Sequence, residues 1–141
     1  MREGLLSHDG EVHDQMLEPV KQKTFDTLDR ELAAKKKDSR YKLTPMTLEG
    51  CVVRIADTIA YIGRDIEDAI RLNLIERSEL PTESVACLGN TNGTIVFNLV
   101  TDVIQTSFQK DCVAFSSEVS EALKRLKRFN LERIYLNPPI K

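Results

Sequence analysis

The run TLEGCVVRIADTIAYIGRDIEDAIRL, residues 47–72, constrains what this chain can fold into more than any other stretch. Val52, Ile55, Ala56, Ile59, Ile62, Ile66 and Ile70 follow one another at helical spacing along one broad side, with Val53 and Ala60 toward the other. A helix that is apolar around most of its circumference belongs at the centre of a helical fold, because its faces all need cover. The predicted central helix spans 44–72. Thr44 supplies the cap, Pro45 the first helical position and Glu49 a negative charge in the early turns; the polar ERSE and Pro81 lie beyond its end. Gly50 and Gly63 each cost about 1 kcal/mol relative to alanine inside a helix, so they predict that a neighbouring element packs closely there.

A polar stripe crosses this apolar helix. Arg54, Asp57, Tyr61, Asp65 and Asp68 recur at steps of three and four and fall within an arc of about 80°. Charges removed from water need partners, a metal or a wet cavity, so the stripe reads as a ligand-lined cleft. Periodicity alone gives equal weight to an ordinary solvent face carrying weak Arg54–Asp57 and Arg64–Asp68 pairs. Tyr61 at the middle of the stripe favours the cleft, and so does a second polar strip of Arg64, Glu67 and Arg71 that already gives the later turns a solvent edge.

Around the central helix the sequence predicts an all-α bundle in a single domain or fragment of 141 residues. Residues 1–19 form a loop-rich lead-in with Gly4, Gly10 and Pro19. Residues 20–38 form a peripheral helix with Phe25, Leu28 and Leu32 on one side and a basic KKK in the last turn, read as a solvated helix end. Residues 93–141 form the C-terminal helices. The first follows an Asn/Gly turn holding Asn90 and Asn92 and carries Ile95, Val96, Leu99, Val100, Val103, Ile104 and Phe108. The next starts at Ser116 or Ser117 and turns Val119, Ala122, Leu123, Leu126 and Phe129 inward; a short helix from Phe129 to Asn137 precedes Pro138 and Pro139.

Composition excludes some functions. A net charge of −2 provides no positive field for nucleic acid or anionic lipid, and no apolar run approaches the roughly 20 residues of a membrane span. Cys51, Cys87 and Cys112 are odd in number and far apart, as expected of reduced thiols, and Met1-Arg2-Glu3 leads into too short an apolar run for a secretory signal, so a cytoplasmic location is expected.

The stretch LLSHDGEVHD, residues 5–14, holds both histidines of the chain, each followed by an aspartate: His8-Asp9 and His13-Asp14. Imidazole and carboxylate are common ligands of divalent metals, which raises the question of a metal site. Together with TLEGCVVRIADTIAYIGRDIEDAI, LGNTNGTIVFNLVTDVIQTSF and FSSEVSEALKRLKRFNLERIY, the GLLSHDGE segment resembles the later part of the deoxynucleotide triphosphohydrolases of the dGTPase type, metal-dependent phosphohydrolases of the HD superfamily. The resemblance covers nearly all of the chain in order and is most specific at Asp57, Tyr61 and Asp65.

In that family a histidine, an adjacent His-Asp pair and a distant aspartate hold a catalytic metal. The resemblance puts Asp57 at the distant aspartate, and Tyr61 and Asp65 at positions that contact the deoxyribose of a bound deoxynucleoside triphosphate. A rise of about 6 Å per four residues would string metal, sugar ring and sugar hydroxyl along one helix face. The implied cofactor is a divalent metal such as Mn²⁺ or Mg²⁺, and the implied reaction releases a deoxynucleoside and intact triphosphate. The family's His-Asp pair lies within an early helix, whereas Gly10 follows His8-Asp9 directly. The other ligands are therefore expected upstream of Met1. That makes the chain a partial HD-domain-like fold lacking the upstream metal-ligand helices, with no catalytic residue identified and no activity expected of it alone. Two rival readings are a noncatalytic helical module for oligomerisation or nucleotide sensing, and a metal site rebuilt from His8, His13 and Asp57. An uncovered apolar side predicts a homo-oligomer.

Overall fold

The computed structural model describes residues 15–19, 25–37 and 47–137. Along these run β1 (Met16–Leu17), α1 (Phe25–Lys37), α2 (Leu48–Arg71), a 3₁₀ turn (Arg77–Glu79), α3 (Thr82–Leu88), α4 (Asn92–Ser107), β2 (Val113–Ala114), α5 (Ser117–Asn130) and a π-helical turn (Leu131–Tyr135). The fold is all-α apart from β1 and β2, which pair antiparallel with Met16 opposite Ala114 and Leu17 opposite Val113. That two-residue ladder lies in the lead-in that the sequence read as loop. It is too short for any alternation of side chains to announce it.

The central helix starts later than predicted. Thr47, in extended conformation, is the cap, and its Oγ1 accepts from the Gly50 N–H at 3.1 Å. Thr44 and Pro45 lie outside the described residues. The helix ends as the Leu72 N–H returns to Asp68 and Ile70 carbonyls and Asn73 takes a positive φ of 56°.

Burial also differs from the predicted face by a small rotation. Cys51, Ile55, Ile59, Ile62, Ile66 and Ala69 point into the core, while Val52 and Ala56, expected inside, are exposed. The isoleucine row packs on α4 and α5, and α3 closes the other side of α5. Ile95 and Leu99 of α4 and Leu123 and Leu126 of α5 are fully buried against it. Each such side chain contributes about 1.5–3 kcal/mol by leaving water. The residues of α1 whose side chains are placed are exposed or half-buried, which suits a peripheral helix.

Helix α3 has no counterpart in the expected layout. Pro81 was read as part of the stop after α2, but it caps the start of a new helix, where proline's fixed φ and missing N–H cost nothing. Gly89 ends α3 at φ +90°, a conformation that favours glycine, and a Cβ there would lie 2.3 Å from Thr94 Oγ1. The last expected helix is instead the π-helical turn, closed by a Leu136 N–H to Leu131 C=O bond of 2.9 Å.

Polar contacts fix how the helices cross. Gly63 faces the start of α4, and a Cβ at Gly63 would meet Asn92 Oδ1 at 2.7 Å and Asn92 Cα at 3.0 Å. Four residues on, Glu67 takes a two-pronged bond from Arg77 (2.9 and 2.8 Å) and accepts the Asn92 N–H at 3.2 Å. A carboxylate at the first amide of α4 also meets the positive end of that helix. Arg77 reaches on to the Asn90 carbonyl. Glu67 is therefore a link between α2, the 3₁₀ turn and α4, where the sequence had placed it on a solvent edge. From the other side, buried Asn130 donates to the Ile62 carbonyl at 3.2 Å and buried Ser84 to the Ala122 carbonyl at 2.8 Å.

Gly63→Ala should lower unfolding stability by about 1–3 kcal/mol in urea titration, the clash with Asn92 outweighing the gain in helix propensity. The Arg77 bond holds the Glu67 carboxyl below its ordinary value. Its contribution to stability is thus complete above the unfolded value of 4.5 and is lost as pH falls through the depressed folded value. Glu67→Gln should be less stable than the parent at neutral pH, and the gap should close as urea titrations are repeated further below pH 4.5.

Candidate functional site

The three residues singled out by the sequence stand on successive turns of α2 but in different surroundings. Asp57 is exposed, and no hydrogen bond or ion pair engages it among the described residues. Tyr61 is half-buried, its ring packed on the hydrophobic core. Asp65 is half-buried. The stripe to which they belong is not one wet face. Arg54 at its start is only 4 % exposed, whereas Asp68 at its end is exposed and paired with Arg71 at 3.7 Å. Between those ends, a burial gradient runs from core to solvent and back to a half-covered shelf at Tyr61 and Asp65.

That shelf has a wall contributed from the far end of the chain. After α5 stops at Asn130, the π-helical turn carries Tyr135 back over α2, where its hydroxyl donates to Asp65 Oδ2. Burial, and then the bond to and negative charge of Asp65, push the Tyr135 phenol above the ordinary tyrosine range, so it is a hydrogen donor throughout the neutral region. The turn itself is held by buried Ile134 and by an Arg133–Glu79 ion pair. Sequence reading had no means of finding Tyr135. It lies 70 residues from Asp65 and in a segment whose period is neither helical nor extended.

Tyr61, Asp65 and Tyr135 thus combine two aromatic rings with one carboxylate. An ionised carboxylate offers about four acceptor positions on two oxygens, so Asp65 can hold Tyr135 through Oδ2 and still receive a ligand hydroxyl at Oδ1. Rings beside an acceptor suit a flat-sided, hydroxyl-bearing ligand such as a sugar.

The described residues do not by themselves fit a metal centre. No group of three or more His, Cys, Asp or Glu side chains is arranged to hold an ion among them, and Asp57 is a single carboxylate where a catalytic metal takes three or more protein ligands. His8 and His13 lie outside the described residues, as does any site built from them with Asp57. No disulfide forms among Cys51, Cys87 and Cys112. Among the described residues no helix is long and apolar enough to cross a membrane.

Comparison with known proteins places the chain beside a class of triphosphohydrolase-like proteins. Over 97 residues, 69% of its length, it is 42% identical to a deoxyguanosinetriphosphate triphosphohydrolase-like protein of Caldanaerobacter subterraneus subsp. tengcongensis. Proteins of the same name from Desulfatibacillum aliphaticivorans and Clostridium tetani are 32% identical over 97 residues and 36% identical over 94, covering 67% and 63% of the chain. Over this stretch the chain is homologous to the deoxyguanosinetriphosphate triphosphohydrolase-like proteins, the relationship expected from the segments around Asp57, Tyr61 and Asp65. It spans only 27–29% of the length of these three relatives. No family model matches the chain, and no solved structure matches it.

Proposed function

We propose that this chain is the sugar-side helical portion of a metal-dependent dNTP triphosphohydrolase of the HD type. In the parent reaction a water oxygen bonds to the α-phosphorus as the bond to the sugar O5′ breaks, so that a deoxynucleoside leaves and the three phosphates stay joined. The observation that supports this most is the 42% identity over 97 residues to a protein named for dGTP triphosphohydrolysis.

In this reading Tyr61 lies against the deoxyribose and Asp65 accepts a hydrogen bond from its hydroxyl. Asp57 contributes one carboxylate to a divalent ion such as Mn²⁺ or Mg²⁺, with the other ligands coming from outside the described residues. These residues bind and orient; the chain alone is not expected to turn over. A cytoplasmic location accords with three cysteines that form no disulfide.

A homo-oligomer belongs to the same reading. Phe97, Val100, Ile104 and Phe108 are all exposed along one side of α4 and its end, at 68%, 39%, 62% and 69%. Strips of this kind tend to be covered by association. Sedimentation should show a self-associating chain that becomes monomeric in a Phe97→Ser, Ile104→Ser double variant, and a monomeric parent at high concentration would count against it.

Equilibrium binding of dGTP tests the central claim. The chain should bind dGTP, and Tyr61→Ala and Asp65→Asn should each weaken it by about tenfold or more. Absence of saturable dGTP binding, or indifference to both substitutions, would remove the basis of the reading. Triphosphate release from mixed dNTPs with Mn²⁺ that vanishes in Asp57→Ala would show instead that the chain completes its own metal centre.

A further inference from the structure

We infer that Tyr135 is a positioning residue for Asp65: its hydroxyl fixes the carboxylate so that Oδ1 is presented to the sugar hydroxyl of a deoxynucleotide. The inference deepens the reading of Asp65 given above and rests on it.

The geometry separates this role from a purely structural one. The π-helical turn already has three attachments that do not involve the tyrosine hydroxyl. Asn130, at the junction with α5, is bonded to the Ile62 carbonyl; Ile134 is buried; and Arg133 pairs with Glu79. The Tyr135 hydroxyl sits at the outer rim of the turn, in a residue that is 43% exposed, where a single hydrogen bond adds little to folding. What that bond does control is Asp65. A half-buried aspartate on a helix has a broad terminal torsion, and its carboxylate plane is set by whatever donates to it. With Oδ2 engaged by Tyr135, the plane is fixed and Oδ1 keeps its acceptor positions. The donor comes from a turn that is itself anchored, so the orientation exists before a ligand arrives and the cost of ordering the carboxylate is not charged to binding.

The turn's geometry matters to this placement. Closing Leu136 onto Leu131 instead of continuing α5 with i to i+4 bonds changes the direction of the residues that follow, and the side chain so redirected is Tyr135. Such single π-helical turns recur at functional sites. The phenol's elevated ionisation accords with its remaining a donor to a carboxylate at every pH where a deoxynucleotide would bind.

The test measures the affinity of the full chain for dGTP and for 2′,3′-dideoxy-GTP, which lacks the sugar hydroxyl, in the parent, Tyr135→Phe, Asp65→Asn and the double variant. Tyr135→Phe should weaken dGTP binding about threefold to tenfold, leave dideoxy-GTP binding unchanged, and have no further effect in the Asp65→Asn background. Its thermal unfolding should match the parent's. If Tyr135→Phe binds dGTP as the parent does while Asp65→Asn is impaired, the inference falls and the role of Asp65 stands. Equal weakening toward both nucleotides would also overturn it, since the hydroxyl would then act on something other than the sugar contact. A parent that fails to bind dGTP, or an Asp65→Asn variant that binds it normally, would overturn the reading of Asp65 and the inference together.

Discussion

Asn92 resting on the bare Cα of Gly63 sets the closest approach of α4 to α2, and the remaining packing is arranged around that crossing. Because no side chain stands between the two backbones, Glu67, one turn further along α2, can reach both the first amide of α4 and the Arg77 guanidinium. The crossing also determines which isoleucines of α2 meet Ile95 and Leu99. Moving α4 outward by the width of a methyl group would open voids along a close-packed row, and interiors tolerate that poorly. The face of α2 that bears Tyr61 and Asp65 is therefore fixed by contacts made elsewhere on the same helix.

This division of labour suits a recognition site. Side chains that must meet a ligand with defined geometry sit on the most firmly packed helix of the fold, while the second tyrosine comes from an anchored turn rather than a loose loop. Asp57 differs from its neighbours along the helix. It is exposed and unengaged among the described residues, as a carboxylate awaiting partners from another part of a larger protein would be. The relatives are more than three times as long as the matched stretch, which leaves ample chain to supply such partners.

How much of this was legible in the sequence depends on the range of the interaction involved. The central helix was legible because the isoleucines repeat at its period, and Gly63 announced a close approach because glycine is otherwise costly there. The start was misplaced because Thr44-Pro45 and Thr47 are both plausible beginnings, and only the bond from Gly50 to Thr47 Oγ1 decides between them. Helix α3 was missed since a proline can either end a helix or open one, and seven residues give too little period to choose. Glu67 looked like solvent-edge charge because its partners, Arg77 and Asn92, are brought to it by the chain's return. Asp57, Tyr61 and Asp65 were marked by family resemblance, with spacing adding only that they share a face. Tyr135 could not be marked at all, for nothing local distinguishes a tyrosine that will meet Asp65 from one that will not.

The five-residue turn from Leu131 to Tyr135 has a consequence for how this chain can vary. A π-helical turn holds one residue more than a regular turn, so it behaves as a one-residue phase shift written into the end of α5. Deleting a single residue there would let the helix continue in regular register and would rotate everything after it by about 100°. The hydrophobic core upstream would scarcely register the loss, yet the tyrosine would swing away from Asp65. Insertions and deletions are usually absorbed in loops; here one of the most sensitive places for a change in length is inside a helix, and the quantity it would alter is angle rather than stability.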